Sequence, residues 1–268
     1  MSDITLPARI IFSLGPVPVT DGFLGAVLVS VTIIGLFIYA TRSFGLVPTR
    51  LQMVLEMISD YIMEQLKTAF HSTERAEAFF PFFMTMLLFI FVANQFMFVP
   101  FIFELTYNGF DIFRQPTSDF AQPIALSLMV FFISQWMAFK ISPLNHIQNF
   151  ISVKPFLKAR SLMEFFTASI EAFVGLLNIV GEFAKIVSLA ARLFGNVFAG
   201  NVMVAVIIGL GAYTQFIVPI PFLILSVFSG LVQAFVFMLL SVQFVAISID
   251  GAMDDEEEEI VGKAVATT

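Results

Sequence analysis

No cysteine occurs in the chain, which excludes a disulfide framework, thiolate metal sites and thiol redox chemistry. Charge is scarce as well: 12% of the 268 residues carry one, against about a quarter in an ordinary soluble domain, while 59% are hydrophobic. There is no basic stripe with interleaved aromatics, so nucleic-acid binding has no support. A glycine-rich loop ending in Gly-Lys-Ser or Gly-Lys-Thr is likewise missing, which argues against direct nucleotide binding of that kind. Only two histidines occur, His71 and His146, far apart and without metal-ligand spacing, so they read as surface residues and no cofactor is expected.

What is present are long apolar runs. Gly22 to Ala40, Phe79 to Phe103 and Phe120 to Phe139 contain no charged residue, and each is long enough to cross a hydrocarbon core of ~30 Å. Leu193 to Ile249 is also uncharged but too long for one crossing, and Gly209, Gly211, Pro219 and Pro221 favour a turn that divides it into two helices. The expected fold is an all-α polytopic membrane protein with about five spanning or embedded helices, one amphipathic surface helix and two long tilted C-terminal helices. Its parts are an external segment over 1–20, spans at 21–41, 79–103 and 120–140, and a surface helix at 50–70. A long tilted helix follows over 162–208, then a last helix over 217–250 and an acidic tail over 251–268.

The basic residues set an orientation. Arg42, Arg50, Lys67 and Arg75 separate the first two spans, and Lys140, Lys154, Lys158 and Arg160 follow the third, whereas the opposite side holds only Arg9 and Arg114. The positive-inside rule then puts the N-terminus outside and the C-terminus in the cytoplasm. Residues 1–20 have no signal-peptide pattern. Asp254, Asp255 and Glu256 to Glu259 account for most of the net charge of −7 and read as a solvated, disordered cytoplasmic tail. Over 50–70, Glu56, Asp60 and Glu64 recur every four residues on one face. That stripe is either plain solvent exposure or a docking face for another subunit. Trp136, the lone tryptophan, stands near a span end as an interfacial anchor.

Between Phe165 and Ile208, Glu171, Asn178, Glu182, Lys185, Ser188, Arg192 and Asn196 share one helical face. An arginine at a helix centre in hydrocarbon costs from about 3 to above 10 kcal/mol, so this face should meet protein or water. Glu182 and Lys185, one turn apart, either neutralise each other or line a hydrated path. Arg192 has no such local acid, because Glu182 is too far along the helix, and its countercharge should come from another chain. Ala184, Ser188, Ala191, Gly195 and Ala199 form a stripe of small residues beside it. That stripe either packs within the bundle or admits a second helix at close range.

The stretch Glu182-Phe-Ala-Lys-Ile-Val-Ser-Leu-Ala-Ala-Arg192-Leu-Phe-Gly-Asn196-Val-Phe-Ala-Gly resembles the signature helix of F-type ATP synthase a subunits. Leu231-Val-Gln233-Ala-Phe-Val-Phe resembles the glutamine motif of that family's last helix. Val47-Pro48 with Gln52 and Glu56, Pro81 with Thr85 and Asn94, and Pro116-Thr-Ser-Asp119 follow in the family's order. The resemblance implies that Arg192 is the essential arginine, Asn196 the polar residue one turn on, and Gln233 the glutamine facing the arginine. It implies polar positions at or near two aqueous half-channels for Asp119, Glu182 and Lys185, with Asn178 and Glu171 further along the same helix face. The implied role is a proton-translocating stator subunit, not itself catalytic, in a bacterial plasma membrane or, alternatively, a mitochondrial inner membrane. Its implied partners are a rotor ring of c subunits, peripheral-stalk b subunits and the lipid bilayer.

Two positions depart from the family pattern. Asn201 and Ser226 stand where members often carry a Glu or His, and neither titrates near neutral pH. That leaves water held by Asn201, Ser226 and Gln233 as the path for a proton there. Two rival readings remain at this stage, a monomeric ion-coupled transporter and a structural membrane anchor.

Overall fold

The computed structural model describes residues 10–14, 17–42, 44–45, 48–96, 106–107, 110–111, 115–143, 162–209 and 218–266. Met97 to Phe103, Arg114, His146, Lys154, Lys158, Arg160 and position 217 lie outside them, as do the side chains of Glu171 and of the acidic residues from Asp254 to Glu259. Six α-helices appear among the described residues: α1 (Asp21–Arg42), α2 (Arg50–Phe70), α3 (Thr73–Gln95), α4 (Ala121–Ile141), α5 (Leu162–Gly209) and α6 (Pro219–Ala266). Five of them, all but α2, are long and apolar enough to cross a membrane. The protein is a polytopic, predominantly helical membrane protein.

Two elements differ from the sequence expectation. Short antiparallel hairpins pair β1 (Ile10–Leu14) with β2 (Val17–Thr20), and β3 (Thr106–Tyr107) with β4 (Phe110–Asp111). The β-branched and aromatic residues Ile10, Ile11, Phe12, Val17, Val19 and Thr20 explain the first. At the other end, the backbone of α6 does not stop near Asp250 but continues helical to Ala266. Beyond Pro221 the segment has no proline, and its Glu, Met, Ala and Lys residues are strong helix formers, so a disordered tail over 251–266 is not what forms. α5 is 48 residues long, which at ~1.5 Å per residue gives about 72 Å, more than twice a perpendicular crossing.

The chain divides into two compact units, Met1–Pro123 with Ala190–Leu240, and Ile124–Leu189 with Ser241–Thr268. In the first, Thr49 caps α2 by accepting from the Gln52 amide at 3.3 Å, and Ser72 caps α3 by accepting from the Arg75 amide at 3.4 Å. The tight link between these helices puts His71 in the left-handed region at φ 50°. Behind it, Phe70 stacks on Phe79 with ring centroids 5.1 Å apart, beside the buried Phe83, Ile62 and Leu66. Glu56, Asp60 and Glu64 look away from this contact and are exposed. A left-handed conformation costs a residue with a Cβ roughly 1–2 kcal/mol and costs glycine little. His71→Gly should therefore raise the thermal midpoint of the solubilised protein, while His71→Ile should lower it.

Val29 of α1 and Ala93 and Phe96 at the end of α3 form a further buried cluster of the first unit. In the second unit, the hydroxyls of Ser134 on α4 and Ser248 on α6 are 2.5 Å apart among the buried Val130, Ala138, Val245 and Ile249. A hydroxyl pair of this kind satisfies two polar groups that hydrocarbon would leave without partners.

Candidate functional site

The first unit is organised around Asn94, near the end of α3. Its side chain is 5% exposed; Nδ2 donates to the Gly230 carbonyl of α6 at 3.3 Å, and Oδ1 accepts from the Thr117 hydroxyl at 3.0 Å. One residue on, Gln95 Nε2 donates to the Val227 carbonyl at 3.0 Å. Gly230 permits this approach, because a Cβ there would lie 3.1 Å from Asn94 Cβ and 3.2 Å from Gln95 Nε2. Overpacking of a tight contact costs about 1–3 kcal/mol, so Gly230→Ala should lower the thermal midpoint of the assembled protein. Gly195→Ala, with nothing within 4 Å of its Cβ position, should leave the midpoint of the isolated, solubilised chain in place.

The buried 3₁₀ turn Pro116–Ser118 follows Gln115, whose Nε2 donates to the carbonyls of Ala93 and Asn94, both at 3.4 Å. Asp119 ends the turn and caps α4, with Oδ1 accepting from the Ala121 amide at 3.3 Å. Its Oδ2 lies 3.3 Å from where a Cβ on Gly22 would stand, so Gly22 lets the two segments meet. The neighbouring Asp21 is buried at the start of α1 and accepts from the Gly22 amide at 2.8 Å.

α5 and α6 run antiparallel beside this turn. Asn196 Nδ2 donates to the Ser229 carbonyl at 3.4 Å, and the Ser229 hydroxyl donates to Asn196 Oδ1 at 2.7 Å. One turn along, Ser226 Oγ lies 3.5 Å from the Cβ position of Gly200. Stepping the other way by one turn on each helix reaches Arg192 and Gln233, so antiparallel geometry puts these two at one level. Gln233 is buried, and its Nε2 has no protein hydrogen-bond partner among the described residues. Arg192 is exposed on the apolar surface of α5 and has no hydrogen bond or ion pair among them.

The five small residues of the stripe are alike in exposure. Ala191, Gly195 and Ala199 in the first unit are exposed, as are Ala184 and Ser188 in the second. Among the described residues none buries these positions, which favours the second of the two readings open for the stripe.

A cavity of about 160 Å³ opens between α3, α5 and α6, lined by the polar residues Asn94, Gln115, Asn196, Asn201, Ser226 and Ser229. The Oδ1 atom of Asn201 and the Oε1 atom of Gln115 are buried there without a protein partner among the described residues. The cavity thus brings together Asn196, Asn201 and Ser226, with Asp119 four residues beyond Gln115. Glu182 and Lys185 do not join it and lie in the second unit. There Lys185 Nζ is 2.5 Å from Glu182 Oε1, Glu182 Oε2 accepts from Gln135 Nε2 at 3.1 Å, and Lys185 stands 5.6 Å from the Phe244 ring centroid. Asn178 is exposed, and the side chain of Glu171 lies outside the described residues.

Sequence reasoning did not single out Gln115, Ser229, Gln135 or Asp21. For Gln135 a signal existed, since an amide inside an apolar span asks for a partner. Gln115 sits in a connection and Asp21 at the first residue of α1, where periodicity is silent.

The sequence profile of the family described as ATP synthase A chain matches residues 23–246. "ATP synthase subunit a" of Moorella thermoacetica is 28% identical over 242 residues, covering 90% of this chain and 96% of its own length. "ATP synthase subunit a 2" of Pelobacter propionicus is 29% identical over 227 residues, covering 82% of this chain and 84% of its own. "ATP synthase subunit a" of Geotalea daltonii is 27% identical over 241 residues, covering 88% and 93%. With a profile match over residues 23–246, which spans both units, the chain belongs to the ATP synthase A chain family.

Proposed function

We propose that this chain is the ion-translocating stator subunit of an F-type ATP synthase, presenting Arg192 to membrane-embedded carboxylates on a rotor ring of c subunits. The observation that carries the reading is Arg192 itself, exposed on a span-length apolar helix with no acid of the described chain within reach. A guanidinium left so in hydrocarbon costs from about 3 to above 10 kcal/mol, which an incoming carboxylate would offset. The exposed Ala191, Gly195 and Ala199 let such a partner helix come close.

The mechanism follows from charge. A rotor carboxylate arriving beside Arg192 releases its proton, because the fixed positive charge favours the ionised form. Arginine suits the task because it keeps its charge even when partly buried. The proton leaves by one half-channel, and a second carboxylate is reprotonated from the other after the ring turns. Asp119, Asn196, Asn201, Ser226 and Gln233 serve the cavity side, and Glu182, Lys185, Asn178 and Glu171 serve the second unit. Each elementary charge crossing 100 mV releases about 2.3 kcal/mol, so several transfers drive one ATP synthesis elsewhere in the complex. Peripheral-stalk b subunits hold the chain against rotation, and the positive-inside rule puts its C-terminus in the cytoplasm of a bacterial plasma membrane.

A structure of the intact complex tests this directly. A carboxylate of another subunit within about 4 Å of the Arg192 guanidinium is the expected result. Arg192 paired with an acid of its own chain, or exposed to bulk water, overturns the reading.

A further inference from the structure

We infer, resting on the function proposed above, that Gln135 is a positioning residue of the ion path in the second unit. It holds the Glu182 carboxylate to α4, so that Lys185 stays on the other carboxylate oxygen, beside the Phe244 ring.

On its own helix the charged pair has little to keep it in one place. Glu182 and Lys185 stand one turn apart on α5, and two long side chains so spaced can meet in several arrangements. Lysine in particular can carry its charged end away toward an interface. Gln135 belongs to a different helix and removes that freedom. Its Nε2 donates to Glu182 Oε2 at 3.1 Å while Oε1 takes Lys185, so the two carboxylate oxygens are committed to donors on different elements. An ionised carboxylate only accepts, so the amide nitrogen is the end of Gln135 that can serve it. Lys185, drawn to Oε1, stands 5.6 Å from the ring centroid of Phe244 on α6, within range of a cation–π attraction.

The preceding residue fixes the reach of Gln135. Ser134 is buried, and its hydroxyl meets that of Ser248 on α6 at 2.5 Å, so consecutive residues of α4 bind α6 and α5. At this level α4 cannot turn or slide without releasing one of the two. Support of this kind is what a group needs if it must return to one position after each transfer, since a displacement of about 1 Å can cost a hundredfold in rate.

The test uses the intact complex in liposomes. Gln135→Met keeps the length and bulk of the side chain without the donor, and should lower ATP-driven and passive proton flux about tenfold while the complex assembles. Gln135→His is a poorer match in shape but places a ring Nε2–H at a similar reach, and should restore flux to near the native level. A residue that only fills space would give the opposite order. The infrared carboxylate band that Glu182→Gln removes should shift in Gln135→Met and return in Gln135→His. If Gln135→Met fails to assemble, Gln135→Asn, whose nitrogen falls short by one methylene, takes its place with the same expectations. Normal flux in assembled Gln135→Met, low flux in assembled Gln135→His, or a Glu182 band indifferent to position 135 would each overturn the inference. If Glu182→Gln lowers flux while Gln135→Met does not, only the positioning role fails. Normal flux in assembled Glu182→Gln takes the pair off the path, and coupled pumping in Arg192→Ala removes the stator reading itself.

Discussion

ATP-driven proton pumping should disappear in Arg192→Ala, while the complex still assembles. Arg192 makes no hydrogen bond or ion pair among the described residues, so its removal strands no partner among them. On the function proposed above, what it removes is the positive charge that would favour the ionised rotor carboxylate. Taking the low end of the cost of an unpaired charge in a membrane, about 3 kcal/mol, the loss is at least about a hundredfold in rate. Proton permeability with the ATP-hydrolysing part detached should persist or rise, since the barrier to direct leak is gone. Arg192→Lys is a stringent companion. Lysine keeps the charge in water but sheds it readily when desolvated, so coupling should be largely lost there too. A structural anchor would tolerate both changes, and a fluorescence-quenching assay of pumping in vesicles separates the cases.

The second large effect is expected at Glu182. Its carboxylate binds Lys185 through one oxygen and Gln135 through the other, joining α4 and α5 within the second unit. Glu182→Leu leaves the Lys185 ammonium and the Gln135 amide without that acceptor. Breaking a fully buried pair from one side costs about 3–5 kcal/mol. Lys185 and Glu182 are 30% and 19% exposed, and lysine can reach toward the interface, so about 2–3 kcal/mol is the expected loss, seen as poor recovery of the assembled complex. The double variant Glu182→Leu with Lys185→Leu should recover assembly, because well-packed apolar residues replace an ion pair at little cost. Pumping then decides between the two readings open for this pair. Recovery of assembly without pumping assigns it to the ion path, and recovery of both makes it a local neutralisation.

The fold was legible wherever a long period or a long apolar run carries the information. α1, α2, α4 and α5 can be read from charge-free runs, the 3.6-residue period and the acids at every fourth position of α2. The hairpins could not be, since four- and five-residue strands give too short a signal. The length of α6 was misjudged for a physical reason. A run of acids lowers hydrophobicity but not helix propensity, and the backbone of 251–266 follows the propensity. At the site, Arg192 and its small neighbours stand out in the sequence because charge is so rare around them. The Asn94 and Gly230 contact, 136 residues apart, is a tertiary match that no local pattern encodes. Gln115 was invisible for the same reason, because the α3 carbonyls that take its nitrogen lie 22 and 21 residues earlier in the chain.

The bare outer face of α5 has one more consequence. Helices that pack firmly do so by seating ridges of side chains in facing grooves, and sliding one past another then means lifting each ridge over the next. Ala191, Gly195 and Ala199 raise almost no ridge, and at Gly195 there is nothing at all within 4 Å of where one would begin. On the function proposed above, a neighbour passing sideways over these three positions would meet little relief beside the guanidinium, until it reached the exposed Val187 on one side or Met203 on the other.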